Sequence, residues 1–289
     1  MFESSDLHTI RLRDGRQLAY SAFGAADGRP LVSFAGVPGS RLYGLPLEPA
    51  ARELGFRVLT VDLPGAGQSD YKADRTFADT ADDISQLADE LGLDRFDVLG
   101  VAGGAPHALA CAWRCGDRVH RLALVNSALP INTRATQEQP RRRRRFFYWA
   151  VRTPWANRLA MGVVAWRARH TPRSILKNLE STSSDSDLLV LARPEVRDLF
   201  ATAAADAFQR GARGPTQEIA LLSGYWDIKF REITIPVDVW QGEEDPAFRA
   251  ESLKWLTDQI PNCNITLVPG AGQLWLIDHA DMVLRALTK

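Results

Sequence analysis

Residues 96–111 read F-D-V-L-G-V-A-G-G-A-P-H-A-L-A-C, which predicts a buried strand, a tight turn and a helix in direct succession. The apolar run at 96–99 is typical of a strand, and residues 105–115 are typical of a helix. Between them, residues 100–104 read G-V-A-G-G, and such small residues permit a strained turn. A turn of this kind lifts its middle side chain, here Ala102, above the edge of a sheet.

Strand-like and helix-like segments alternate on both sides of this turn. An Asp14-Gly15 pair between the first two strand-like runs predicts a hairpin, and Thr76 with Asp79 predicts the cap of a helix. Repeated alternation favours an α/β fold with a mostly parallel sheet flanked by helices on both faces. The remaining predicted strands lie at 8–13, 17–23, 31–35, 57–62, 119–125, 235–241 and 264–268, and further helices at 250–259 and 274–287.

Residues 131–224 interrupt this alternation with helical segments and no convincing strand. Three helices are indicated by a proline at the first helical position, namely Pro154, Pro172 and Pro194. We therefore predict an α/β core made of residues 1–130 and 225–289, and an all-helical cap made of residues 131–224.

Five short motifs follow one another along the chain. They are G-V-P-G-S-R (36–41), D-L-P-G-A-G-Q-S-D (62–70), G-V-A-G-G-A-P-H (100–107), W-Q-G-E-E-D (240–245) and P-G-A-G-Q-L (269–274). In this order and spacing the chain resembles the α/β-hydrolase-fold family, in the capped form found among actinobacterial serine hydrolases. The resemblance covers nearly the whole chain and implies the α/β-hydrolase fold with a pocket under the helical cap.

The resemblance also implies positions for a Ser–His–Asp triad, and two of the three are replaced. Ala102 stands at the nucleophile position and Gln273 at the base position, while Asp245 keeps the acid position. An alanine cannot attack a carbonyl, and a glutamine amide has no useful basicity near neutral pH. Because Ala35 and Gln241 also replace residues usual in the family, a single engineered Ser→Ala change at Ala102 does not explain the pattern, and we predict a natural loss of the triad.

The other matching positions predict a ligand site rather than a hydrolytic one. The backbone N–H groups of Val37 and Gly103, with Gly36 beside them, are at the family's oxyanion positions, and such a pair polarises a carbonyl without any nucleophile. Ala35, Gln241 and Gln273 are expected to contact the ligand. His107 and Asp62 are interpreted as satisfied structural residues, one in the core and one capping a turn.

Three functions remain open at this point. The preferred one is a non-hydrolytic, cofactor-independent lyase or isomerase, such as a cyclase of secondary metabolism, acting on a small and mainly apolar metabolite. The second is a pseudohydrolase that binds a ligand without turnover. The third is a residual ester hydrolase, with His279 as a relocated base or with Ala102 as an engineered replacement of serine.

Composition limits the partners and the compartment. Lys plus Arg number 35 and Asp plus Glu number 35, so the net charge of zero predicts neither a nucleic-acid nor a membrane partner. Cys111, Cys115 and Cys263 predict no disulfide framework. Without a signal sequence or membrane span we expect a cytoplasmic protein with no metal, and a homodimer is left open as its oligomeric state. The run Arg141–Arg145 indicates either a solvated turn at the cap edge or a contact for an anionic ligand.

Overall fold

The computed structural model describes residues 6–130 and 153–289, and an eight-stranded sheet forms its centre. The strands are ordered β1-β2-β4-β3-β5-β6-β7-β8; β2 pairs antiparallel with both of its neighbours, β1 and β4, and all other neighbours run parallel. The strands are β1 (His8–Arg11), β2 (Gln17–Gly24), β3 (Arg29–Phe34), β4 (Phe56–Val61), β5 (Phe96–Val101), β6 (Val119–Val125), β7 (Val237–Gly242) and β8 (Cys263–Val268).

Helices cover this sheet, and the chain forms a further group of helices after β6 and before β7. Short 3-10 segments join several of them, including Arg41–Leu47, Ala102–Gly104 and Pro172–Ile175. The described α-helices are α1 (Glu48–Glu53), α2 (Phe77–Glu90), α3 (Ala105–Arg114), α4 (Pro154–His170), α5 (Leu176–Glu180), α6 (Asp185–Leu191), α7 (Pro194–Ala207), α8 (Arg213–Ser223), α9 (Lys254–Gln259) and α10 (Leu276–Leu287). None of the described helices is long and apolar enough to cross a membrane.

Local sequence signals explain how these elements begin. Gly15 takes a φ of +87° in the turn between β1 and β2, as the Asp-Gly pair predicts. The Thr76 hydroxyl accepts the Asp79 N–H, and the Asp79 carboxylate accepts the Thr76 N–H, so the predicted capping box starts α2. Cys111 is buried in α3, as expected for a core residue.

The carboxyl ends of the parallel strands meet at one edge of the sheet. Phe34 of β3 pairs with Gly100 of β5, and Val101 of β5 pairs with Val125 of β6. The chain leaves each parallel strand into a loop on the same side, so the loops after β4, β3, β5, β6, β7 and β8 follow one another along this edge. The five sequence motifs therefore contribute to one region of the molecule.

Within the described part of the predicted cap, residues 153–224, the regular structure is helical. Two helix predictions need correction: Pro172 opens a 3-10 turn of four residues, and residues 250–259 divide into a 3-10 segment, Ala250–Leu253, and the helix α9. The exact domain boundaries stay a prediction. The run Arg141–Arg145 lies outside the described residues.

Candidate functional site

Residues 100–104, at the end of β5 and in the turn that follows it, have the backbone of a nucleophile elbow although the central residue is alanine. Ala102 has a φ of +50°, in the left-handed region that non-glycine residues rarely occupy. A Cβ on Gly100 would lie 2.7 Å from the Ala108 Cβ, and a Cβ on Gly104 would lie 2.2 Å from the Phe34 carbonyl oxygen. Packing therefore requires glycine on both sides, and it holds Ala102 in a strained conformation.

The loop after β3 lies directly against this elbow turn. A Cβ on Gly36 would lie 3.3 Å from the Ala102 Cβ, and a Cβ on Gly103 would lie 3.4 Å from the Val37 nitrogen. Ala35, half-buried, leads into this loop. The structure thus brings Gly36, Val37, Ala102 and Gly103 together, with the backbone nitrogen of Val37 next to Gly103; their role towards a ligand stays a prediction.

Apolar side chains from the cap cover the same place. A Cβ on Gly103 would lie 3.3 Å from Cδ1 of Leu222, which belongs to α8. Val37 also packs against a cluster that contains Met161 of α4 and Ile219 of α8. Leu222 therefore lies against Gly103; the sequence did not indicate this residue, because only the folded chain brings it there.

Asp245, at the acid position of the family's triad, is hydrogen-bonded to Gln241. Asp245 Oδ1 accepts hydrogen bonds from the Ala247 N–H at 2.7 Å and the Phe248 N–H at 3.2 Å. Gln241 is fully buried, and its Nε2 donates to Asp245 Oδ2 at 3.2 Å and to the Phe248 carbonyl at 2.9 Å. The Gln241 amide thus satisfies an oxygen of the acid without acting as a base.

Gln273 is tied to the same edge of the sheet through its backbone. Asn126, at the end of β6, donates from Nδ2 to the carbonyl oxygens of Gly272 at 3.1 Å and Gln273 at 3.0 Å. Asp187 of α6 accepts the N–H groups of Gln273 at 3.0 Å and Leu274 at 2.7 Å. A cap residue and a core residue thus fix the loop that carries the base position.

Neither Asn126 nor Asp187 was singled out from the sequence. A weak signal exists for each: an asparagine directly follows a buried strand, and S-D-S-D at 184–187 contains the capping box that starts α6. The pairing of either residue with the Gln273 loop is a long-range contact that these local signals do not contain.

A buried ion pair joins the loop after β3 to the cap. The Arg41 guanidinium lies 2.9 Å from Asp62 and 2.7 Å from Asp206 of α7. Asp62 also accepts the Gln68 N–H at 2.9 Å, which agrees with its interpretation as a turn cap. Burial raises the pKa of Asp62, and the neighbouring Arg41 opposes this shift.

A second buried network connects the helix after the elbow turn to α8. His107 Nε2 lies 2.7 Å from Glu218 Oε1, and His107 Nδ1 lies 3.1 Å from the Thr80 hydroxyl. Arg75 pairs with the other Glu218 oxygen. Burial raises the pKa of Glu218, but His107 and Arg75 outweigh it and lower this pKa to about 2. The interpretation of His107 as a satisfied core residue therefore agrees with the structure.

His279 does not belong to this group of residues. It is exposed, at a position in α10 where the backbone departs from helical geometry. A solvent-facing ring at this point argues against the hypothesis that His279 is a relocated base. Across the residues that the structure describes, no cluster of three or more His, Cys, Asp or Glu is suited to hold a metal ion.

Comparison with known proteins adds a family match to this geometry. A family model described as the alpha/beta hydrolase fold matches residues 29–280. The match begins at β3 and ends within α10, so it includes the elbow turn, the loops around it and the described cap.

Curated relatives match only part of their own length. A protein of Caulobacter sp. strain K31 named as a carbamate hydrolase is 36% identical over 104 residues, 35% of this chain and 38% of the relative. A 3-oxoadipate enol-lactonase of Acinetobacter baylyi is 27% identical over 131 residues, 45% of this chain and 49% of the relative. The aligned regions thus span less than half of either relative.

Solved structures match over nearly the whole chain at low sequence identity. An esterase from Exiguobacterium antarcticum has a TM-score of 0.74 at 19% identity and covers 97% of this chain and 99% of its own. The enol-lactonase from Burkholderia xenovorans has a TM-score of 0.67 at 21% identity, over 97% and 98% of the two chains. Identities at this level indicate a shared fold and do not transfer an activity.

Proposed function

Since this chain belongs to the α/β-hydrolase-fold family, we propose that it binds a small, mainly apolar carbonyl compound under the cap and transforms it without forming an acyl-enzyme. The reaction class is that of a lyase or isomerase, such as a cyclase. The relatives named above carry hydrolytic names, which is the broader expectation for the family. Ala102 and Gln273 remove the nucleophile and the base on which serine hydrolysis depends.

The observation that supports this proposal is the backbone of Ala102. A φ of +50° costs an alanine about 1–3 kcal/mol, and an alanine side chain offers no chemistry in return. What the strained turn does provide is the position of Gly103 next to the backbone nitrogen of Val37. A site that keeps this arrangement after losing its nucleophile is suited to stabilise negative charge on a ligand oxygen.

The surrounding residues support the same chemistry. Leu222 and Val37 supply apolar surface next to Gly103, and a dry environment strengthens hydrogen bonds to a developing oxyanion. Such a pocket holds a flexible apolar compound in one reactive conformer, and this alone lowers the barrier of an intramolecular step. Gln273 contributes an amide that orients the ligand.

A second candidate is a pseudohydrolase that binds the same ligand without turnover. The observation in its favour is Gln241, whose buried amide holds Asp245 where the family's acid would orient a histidine. Both candidates require the same ligand site, and they differ in whether the bound compound leaves chemically changed.

The shared ligand site is tested with a series of phenols of similar shape and different acidity. We expect para-nitrophenol, para-cyanophenol, para-chlorophenol and phenol to bind with decreasing affinity at about pH 8, over a range of about tenfold or more, because a phenolate oxygen accepts stronger hydrogen bonds than a neutral hydroxyl. Isothermal titration calorimetry measures the four dissociation constants.

A variant that fills the site provides the control. Leu222→Trp is expected to abolish binding of the whole series, whereas Leu189→Trp, at an exposed position of α6, is expected to leave it unchanged. Thermal unfolding of both variants checks that they remain folded. Equal affinity across the phenols, or equal binding by the Leu222→Trp variant, contradicts a site built on Val37 and Gly103.

A further inference from the structure

The outward face of α4 carries four exposed apolar side chains between its first and fourth turns. Its side chains at 155, 159, 163 and 166 follow the helical repeat and lie on one face. The exposed fractions are 72% for Trp155, 67% for Leu159, 55% for Val163 and 55% for Trp166. Two exposed tryptophans and two exposed aliphatic residues on one helix form a contiguous apolar stripe. Contiguous exposed apolar surface is typical of interaction sites.

The opposite face of α4 packs onto the candidate site. Met161, Ala165 and Ala168 are buried in a cluster with Phe208 and Ile219, and Val37 packs against this cluster. The apolar stripe is therefore the outer side of the helix whose inner side covers the loop after β3. Whatever contacts the stripe is one helix diameter from the proposed ligand site.

Charge on α4 has one sign. The helix carries Arg158, Arg167, Arg169 and His170 and contains no Asp or Glu. Arg158, Arg169 and His170 are exposed beside the stripe. In the part of the chain that the structure describes, no carboxylate forms an ion pair with these arginines. The helix thus combines an apolar stripe, two tryptophans at its surface and unneutralised positive charge.

We propose that this face of α4 docks on a lipid bilayer that contains anionic headgroups. A helix that presents tryptophans at the protein surface with arginines beside them can lie in the plane of a membrane interface, where the rings enter the headgroup region and the guanidinium groups contact phosphates. A second copy of the chain is a poorer partner, since two such helices would bring arginine against arginine.

This proposal departs from the expectation drawn from the net charge. A total of zero describes the whole chain, whereas docking depends on the charge of the contacting surface. The inference does not depend on the proposed function. If both hold, the docked face lies on the cap directly above the site, which suits the entry of an apolar compound from a lipid phase.

The test is sedimentation of the full chain with sucrose-loaded vesicles. We expect vesicles of phosphatidylcholine with phosphatidylglycerol to bind the protein about tenfold or more tightly than vesicles of phosphatidylcholine alone, with the difference reduced by salt. The double variant Trp155→Ser and Trp166→Ser is expected to lose about tenfold or more of this affinity. The control Leu189→Ser and Tyr225→Ser removes two exposed apolar side chains outside α4 and is expected to bind as the wild type does.

Three results would overturn the proposal. One is a wild-type protein that stays in the supernatant with anionic vesicles. Another is equal loss of binding in the α4 variant and the control variant, which would indicate general stickiness. The third is a dimer seen by light scattering that the α4 variant abolishes, together with no vesicle binding, which would assign the stripe to a second copy of the chain. Circular dichroism verifies that both variants are folded.

Discussion

Replacing Glu218 with glutamine is expected to lower the free energy of unfolding by about 3–5 kcal/mol, because a buried arginine then loses its carboxylate partner. Arg75, His107 and Glu218 are all buried. One carboxylate oxygen of Glu218 contacts Arg75, and the other contacts His107. Glutamine has nearly the same shape, so the loss reflects charge and hydrogen bonding rather than a cavity. Urea unfolding followed by circular dichroism at about pH 7 measures the difference.

The same pair of proteins gives a pH dependence with a defined sign. The folded pKa of Glu218 is about 2, below the ordinary value of 4.5, so the unfolded chain binds the proton more readily. The stability from this carboxylate is fully present above about pH 4.5 and is lost as the pH falls towards 2. We therefore expect the difference in the free energy of unfolding between wild type and Glu218→Gln to decrease as the pH falls from 4.5 towards 2.

A matched substitution at the surface shows whether the effect is specific. Glu195→Gln changes an exposed glutamate of α7 and is expected to alter stability by less than about 0.5 kcal/mol. Two results would contradict this expectation: a Glu218→Gln variant as stable as Glu195→Gln, or a stability difference from wild type that does not change with pH. Either would show that the ion-pair network around Glu218 contributes little to holding α8 against the core.

The double substitution Ala102→Ser and Gln273→His is expected to create an esterase activity that neither single substitution has. The serine hydroxyl would take the lifted position of Ala102, and the histidine would supply the missing base. General base catalysis contributes about 10²–10⁴-fold, so we expect para-nitrophenyl acetate hydrolysis by the double variant to exceed that of either single variant by about 10² or more. A fluorophosphonate probe is expected to label this variant and not the wild type.

The Gln241 amide is the feature that limits this gain, since it already occupies Asp245 Oδ2. The variant Ala102→Ser with Gln273→Ala, which has the nucleophile without a base, provides the matched control. A folded double variant that hydrolyses the ester no faster than this control would mean that the preserved elbow turn is no longer aligned with the base position.

Local signals in the sequence predicted most of the core. The Asp14-Gly15 hairpin, the Thr76 cap of α2 and the strand–turn–helix around Ala102 each follow from neighbouring residues. Such features are fixed by turn chemistry and by hydrophobic periodicity over a few residues, so a single sequence contains them. The family's spacing then placed Val37, Gly103 and Gln273 at one edge of the sheet.

The residues that close and brace the site were not predictable in this way. Leu222 meets Gly103, and Asp187 meets Gln273, only because the cap folds back over the carboxyl ends of the strands. Glu218 and His107 are 111 positions apart, and nothing near either residue indicates the other. Pairings over such distances depend on the packing of whole elements, which periodicity within one element does not determine.

The central claim is that Val37 and Gly103 still form a site for a ligand oxygen above Ala102, and the crystal structure of a complex with para-nitrophenolate tests it most directly. We expect the phenolate oxygen about 2.7–3.2 Å from both backbone nitrogens, with the ring against Leu222. Two results would contradict the claim. One is a phenolate bound elsewhere although the space above Gly103 is open and empty in the crystal, and the other is a phenolate whose oxygen points away from both nitrogens.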